Sequence, residues 1–186
     1  MAWKVLKSEI ILENPYLKVH KDRCEMTNGS IVENYYTVER PNVAIIAAFT
    51  PEMDLVMIKQ YRHPVRSTDY EIPAGFIEPF ETDIAQAAKR ELLEETGYET
   101  ESLIKIQETF SSAGFMSNHI NFFIGFNAKK IAEQKLDENE ELEVAIMPWP
   151  EALKLLEQEK VKDLGSVSAI LLAKNYLARD SVAKIK

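Results

Sequence analysis

The 186-residue chain is poor in the residues that staple or punctuate a fold, with one cysteine, three histidines and six glycines. Cys24 alone cannot close an intramolecular disulfide and has no CxxC partner for a zinc knuckle or a redox pair, so a reducing, cytoplasmic setting is the expectation. His20, His63 and His119 form no HxH or HxxxH pair, which disfavours a histidine metal site. The glycines, at 29, 75, 97, 114, 125 and 165, are too scattered for a GxGxxG turn or a Walker phosphate loop. No basic-then-apolar leader opens the chain, and its longest apolar run, residues 43–49, is far too short to span a bilayer. A soluble, unprocessed chain with no membrane partner is expected. Basic residues are also scarce, 22 Lys and Arg against 30 Asp and Glu, for a formal net charge of −8. That balance argues against gripping nucleic acid or an anionic surface by bulk electrostatics. A polyanionic substrate would need local cations.

What is present reads as one domain of mixed α and β structure. Apolar and polar residues alternate through residues 16–20 and 31–38, and Asn28-Gly29 between them is a type I′ hairpin signal. Residues 43–49 suit a strand buried on both faces, and residues 55–58 follow after a short turn, so the two are expected to be sheet neighbours. Helical periodicity runs from Ile84 to Glu95, with Asp83 or Thr82 as N-cap and Gly97 just past the end. Strands are predicted near residues 121–124 and 142–146, then a short helix opened by Pro150 and a terminal helix over residues 166–178. The Lys-tipped end beyond Asp180 is expected to fray.

The chemistry concentrates in residues 72–99, where a glycine turn leads into a helix bearing Arg90, Glu91, Glu94 and Glu95. Helical geometry stacks Glu91 and Glu95 on one face with Glu94 on its edge. Like charges at i,i+4 destabilise a helix, and a divalent cation would give the cluster a purpose. Hard oxygen ligands of this type select Mg²⁺ or Mn²⁺ and suit metal-assisted phosphoryl chemistry. Spacing alone leaves open a surface helix laced with ion pairs, Arg90 to Glu94 among them. The acidic run Asp137-Glu138-Asn139-Glu140-Glu141-Leu142-Glu143 reads by itself as a solvated loop.

Gly75, Glu81 and Arg90-Glu91-Leu92-Leu93-Glu94-Glu95-Thr96-Gly97-Tyr98 closely resemble the signature of the Nudix hydrolases. Residues 82–89 are one more than the family pattern has between its glutamate and arginine. Gln60-Tyr61-Arg62 and Glu71-Ile72-Pro73-Ala74-Gly75 are similar to the ADP-ribose pyrophosphatase and nucleoside-diphosphate-sugar hydrolase branch. The resemblance implies a Nudix α-β-α sandwich with a central mixed sheet. It implies an antiparallel strand region over residues 1–40, serving dimerisation, and a catalytic core over residues 41–186. It further implies Glu91 and Glu95 as metal ligands, with Glu94, Glu140 and the Ala74 carbonyl beside them, and Mg²⁺ or Mn²⁺ as cofactor. Glu138 is implied as general base, with Glu140 or Glu141 as replacements, and Arg90 and Glu81 as structural. Arg62 is matched to the diphosphate, and Arg40, Tyr16 and Tyr35 are candidate substrate contacts, the tyrosines equally suited to strand packing.

The implied reaction is hydrolysis of the diphosphate of ADP-ribose or a nucleoside-diphosphate sugar, a small-molecule substrate, by a homodimer. Two markers of substrate choice are incomplete. Ala113 stands where ADP-ribose specialists carry proline, and Asp163-Leu164-Gly165 where the sugar-nucleotide branch has Asp-x-Lys. Alternatives are a hydrolase of dinucleoside polyphosphates or non-standard nucleotides, and a non-catalytic ADP-ribose sensor. The intact carboxylates count against the sensor.

Overall fold

The computed structural model describes residues 2–138 and 140–183. The chain folds into two compact units, Met1–Asn42 with Thr109–Ile120, and Val43–Glu108 with Asn121–Lys186. Asn139 of the acidic run and residues 184–186 of the Lys-tipped end lie outside the described residues. Among the described residues no helix is long and apolar enough to cross a membrane.

The first unit contains an antiparallel sheet in the order β1 (Lys4–Asn14), β2 (Leu17–Glu25), β3 (Ile31–Glu39). Asn14 shapes the first turn, its Oδ1 accepting the amides of Tyr16 at 2.8 Å and Leu17 at 3.1 Å. The second turn differs from the Asn-Gly expectation. Met26 O accepts the Gly29 amide at 2.9 Å and Met26 N donates to Ser30 O at 2.8 Å, with φ positive only at Gly29, at 83°. A type I′ turn needs two residues at positive φ; one such glycine makes a three-residue loop ending in a bulge. Residues 109–120 complete the unit against β3, with Val38 N donating to Phe115 O at 2.7 Å and Ser117 N to Val38 O at 3.1 Å.

In the second unit, β4 (Val43–Ala48) lies between β7 (Ala74–Phe76) and β10 (His119–Phe126), with β9 (Ser102–Phe110) beyond. A second sheet has the order β12 (Leu142–Pro148), β5 (Asp54–Arg62), β6 (Ser67–Glu71), and β8 (Tyr98–Glu99) pairs with β11 (Lys129–Lys130). The expected sheet adjacency of residues 43–49 and 55–58 is thus corrected, since β4 and β5 belong to different sheets, with an isolated Phe49–Leu55 bridge at the turn between them. The turn between them is tight: Thr50 N donates to Asp54 O at 2.9 Å, Thr50 accepts Met53 N on its carbonyl and Asp54 N on its hydroxyl, and Met53 adopts φ 65°. The chain folds back there for one bridge, after which β4 takes β7 and β10 as partners and β5 takes β6 and β12.

The helices are α1 (Ile84–Thr96), α2 (Trp149–Glu157), with proline in its first turn, and α3 (Leu164–Ala183), longer than its periodicity predicts. Ala44, Ile46 and Ala48 on one face of β4 are buried with Ala88 and Leu92 of α1, Val56 of β5 and Phe123 of β10. Side chains alternate along a strand, so Ile45 faces the other way, where α3 packs and Gly165 comes close to its Cδ1. The result is an α-β-α layering of mixed α/β structure. Each buried Leu or Ile adds roughly 1.5–3 kcal/mol.

Caps fix the ends of α1. Asp83 Oδ1 accepts the Ala85 amide at 2.9 Å, and Gly97, at φ 74°, donates to Leu93 O at 2.8 Å. A Cβ on Gly97 would lie 2.1 Å from Ala132 O, whereas one on Gly114 would meet nothing within 4 Å. Gly97→Ala is therefore expected to lower the melting temperature by roughly 5–10 °C, the equivalent of about 2–3 kcal/mol at this chain length. Gly114→Ala in the same thermal melts should stay within about 2 °C of the parent.

Candidate active site

The carboxylates of α1 are drawn under the β7 turn. Ala74 N donates to Glu95 Oε2 at 3.0 Å. A Cβ on Gly75 would fall 2.0 Å from Glu91 Cδ, so only glycine allows the backbone to pass this close. Glu95 is buried, 4% exposed, and the Glu91 side chain is 13% exposed. Burial pushes the Glu91 carboxyl up to about 7, against the opposing pull of Arg90. Burial likewise holds Glu95 well above the usual carboxylate range, opposed by the Ala74 amide and reinforced by the charges of Glu91 and Glu140.

Arg90 organises the entrance to the helix. Its Nε and Nη2 donate to Glu81 Oε1 and Oε2, each at 2.9 Å, and Nη2 also reaches Phe76 O at 3.1 Å. Nη1 lies 2.8 Å from Glu91 Oε1 and 2.9 Å from Glu94 Oε2. Glu81 in turn accepts the Glu78 amide at 2.8 Å. Hydrogen bonding from Arg90 holds the Glu81 carboxyl below its ordinary range. The fork closes across the eight residues 82–89, of which Thr82 and Asp83 precede α1. One guanidinium thus links the β7 turn, the loop and three glutamates.

Arg62, at the end of β5, is held by Glu71 of β6 through Nε at 3.0 and 3.2 Å and Nη2 at 2.6 Å. The Glu71 side chain is only 5% exposed. Glu95 and Asp163 are close enough to help keep Arg62 charged, after the larger effect of the Glu71 hydrogen bond. Glu71 stands in the Glu-Ile-Pro-Ala-Gly run, yet sequence reasoning gave it no role; its burial is the signal that only the fold supplies. Asp163 accepts both the amide and the hydroxyl of Ser166, and that hydroxyl accepts Ile72 N at 2.9 Å, tying the start of α3 to the segment before Ala74. A helix-capping Asp three residues before Ser was legible in the sequence and went unused.

The structure therefore brings Glu91, Glu94, Glu95 and Ala74 together, with Glu140 and Arg62 within electrostatic reach. Glu138 is exposed in a turn where Glu140 N donates to Asp137 O at 3.0 Å. Tyr16, Tyr35 and Arg40 belong to the other unit. Tyr16 is exposed, and the Tyr35 hydroxyl donates to Gly114 O at 2.7 Å while its ring packs edge-on against Trp3. Among the described residues no group of three or more His, Cys, Asp or Glu closes tightly enough to hold a metal ion. The donor chemistry still suits one. Glu91 and Glu95 are paired hard-oxygen donors whose burial disfavours their anionic forms, which a divalent cation would offset.

Lysine cannot reproduce the Arg90 fork. Arg90→Lys is expected to lower stability by about 1–3 kcal/mol and to speed amide exchange across residues 76–83, measured by hydrogen–deuterium exchange. Unchanged exchange there would contradict the assignment of Arg90 as the organiser of the loop.

Comparison with known proteins agrees with this geometry. The family model described as NUDIX domain matches residues 38–167, and that described as Nucleoside diphosphate sugar hydrolase N-terminal domain matches residues 3–38. An ADP-ribose pyrophosphatase of Bacillus subtilis is 33% identical over 168 residues, covering 90% of each chain. A methanol dehydrogenase activator of Bacillus methanolicus is likewise 33% identical over 168 residues, with 90% of each chain covered. A crystal structure of ADP compounds hydrolase superposes with a TM-score of 0.85 at 23% identity, covering 97% of this chain and 96% of that one. With its glutamate-bearing helix under a glycine turn and a family match over more than half its length, the chain belongs to the Nudix family.

Proposed function

We propose that the protein is a cytoplasmic, Mg²⁺- or Mn²⁺-dependent pyrophosphohydrolase acting on ADP-ribose or a related nucleoside-diphosphate sugar. The observation that carries the reading is the pair Glu91 and Glu95, buried together beneath the Ala74–Gly75 backbone. These two, with Glu94, Glu140 and the Ala74 carbonyl, would hold the cation. Once bound it would offset the diphosphate charge and make water a better nucleophile. Arg62, oriented by Glu71, meets a diphosphate oxygen, and Arg40, Tyr16 and Tyr35 are candidate contacts to the rest of the substrate. Glu138 takes a proton from the attacking water. The water oxygen joins one phosphorus as its bond to the bridging oxygen breaks, giving a nucleoside monophosphate and a sugar phosphate.

ADP-ribose is favoured by the name of the Bacillus subtilis relative, and a nucleotide-sugar by the family model over residues 3–38. A panel of ADP-ribose, ADP-glucose, GDP-mannose, UDP-glucose and diadenosine polyphosphates ranks the candidates. AMP release from ADP-ribose is expected to require Mg²⁺ or Mn²⁺, to vanish in Glu95→Gln and to fall about 10²–10⁴-fold in Glu138→Gln. Mg²⁺ should raise the melting temperature of the parent and not of Glu95→Gln. No monophosphate from any of these substrates, with either metal, overturns the enzyme reading.

The homodimer rests on β1. All eleven of its residues are exposed, and Val5, Leu6, Ile10, Ile11 and Leu12 among them are apolar. An unprotected apolar edge strand of this length calls for a partner. Light scattering should give twice the chain mass, and Ile10→Lys with Leu12→Lys should halve it; a parent that is monomeric at micromolar concentration contradicts the dimer.

A further inference from the structure

The last carbonyls of a helix lack the amides of a following turn, and past the Gly97 cap the segment just before the acidic run supplies partners for those of Glu94, Glu95 and Gly97. Lys135 N donates to Glu94 O at 2.8 Å, and Ile131 N and Ala132 N donate to Gly97 O at 2.9 and 3.2 Å. These are backbone bonds that many sequences could make. Glu95 O is different, because it accepts a side chain, Gln134 Nε2, at 2.7 Å. The same amide nitrogen reaches Leu142 O, the first residue of β12, at 3.5 Å.

Gln134 and Leu142 flank the loop of residues 135–141 on either side. The two N–H bonds of one amide therefore draw the neck of that loop together and register it against the backbone of Glu95. Inside the loop, Asp137 N donates to Glu140 Oε2 at 3.2 Å, so the loop has an internal turn, and among the described residues its hydrogen bonds to α1 are at its root. Gln134 is half-buried. A hydrogen-bonding residue at this neck sets where the loop carboxylates stand relative to the helix carboxylates, and a shift of about 1 Å between such groups can lower turnover about 10²-fold.

We infer that Gln134 is a positioning residue for hydrolysis, clamping the loop that carries Glu138 and Glu140 to the end of the glutamate helix. The inference rests on the reading of Glu138 as the base. Gln134→Leu and the isosteric Gln134→Glu both lose the donors, and the second preserves size and polarity should the first fail to fold. Gln134→Lys keeps a nitrogen donor of similar reach, favourably charged at a helix C-terminus.

The variants are assayed on ADP-ribose with saturating Mg²⁺, at least 15 °C below each melting temperature. The clamp predicts kcat about 10–100-fold lower in Gln134→Leu and Gln134→Glu, KM within about threefold, an unchanged Mg²⁺-induced rise in melting temperature, and recovery of most of kcat in Gln134→Lys. A purely structural role would lower the melting temperature and leave kcat within about threefold. That result, or a fall in kcat that Gln134→Lys fails to restore, overturns the inference. Glu138→Gln measured in parallel separates the two readings. Parental turnover in that variant removes the base assignment itself, and slow turnover there beside normal turnover in Gln134→Glu removes only the clamp.

Discussion

The close approach of the Ala74–Gly75 backbone to the carboxylates of α1 is the constraint on which the second unit's site depends. A glycine without a side chain lets Glu91 lie against the strand, and the adjacent amide points at Glu95. Burial then raises the proton affinity of both acids. Carboxylates this well shielded are poor stabilisers when ionised, since their desolvation opposes folding. Their retention is intelligible as preparation for a cation and an anionic substrate.

Arginines maintain that preparation from both sides. Arg90 binds Glu81, Glu91, Glu94 and the Phe76 carbonyl, while Arg62 is locked on the buried Glu71. Ion pairs of this kind contribute little net stability, because desolvation offsets much of the attraction. Their effect is on geometry, each guanidinium having a planar fork that permits few orientations. The Asp163–Ser166 cap adds a third tether by holding Ile72, two residues before Ala74, with a hydroxyl.

The glutamate helix was legible in the sequence because its signals are local. Asp83 and Gly97 mark its ends, and the spacing of Glu91 and Glu95 puts them on one face. The strand partners were less legible, since the pairing of β4 with β7 and β10 joins segments far apart in sequence. Glu71 and Gln134 could not have been singled out. One is an acid whose burial depends on β5 and β6 together, and the other is a lone amide in a polar stretch whose two acceptors come from α1 and β12. At Asn28-Gly29 the local signal gave the right place and the wrong turn, because one glycine at positive φ sufficed.

The first unit is assembled from two separate pieces of chain, residues up to Asn42 and the later Thr109–Ile120. The Tyr35 hydroxyl finds its acceptor, Gly114 O, 79 residues further on. Along the chain, β1, β2 and β3 therefore precede by some distance the segment that completes their unit, so the exposed edge of β3 waits for residues 109–120. Closing so long a loop is slow and entropically opposed until both pieces exist. The order of the sequence makes the strand-rich sheet earlier to be made than to be finished, and opens a window for misassociation within translation itself.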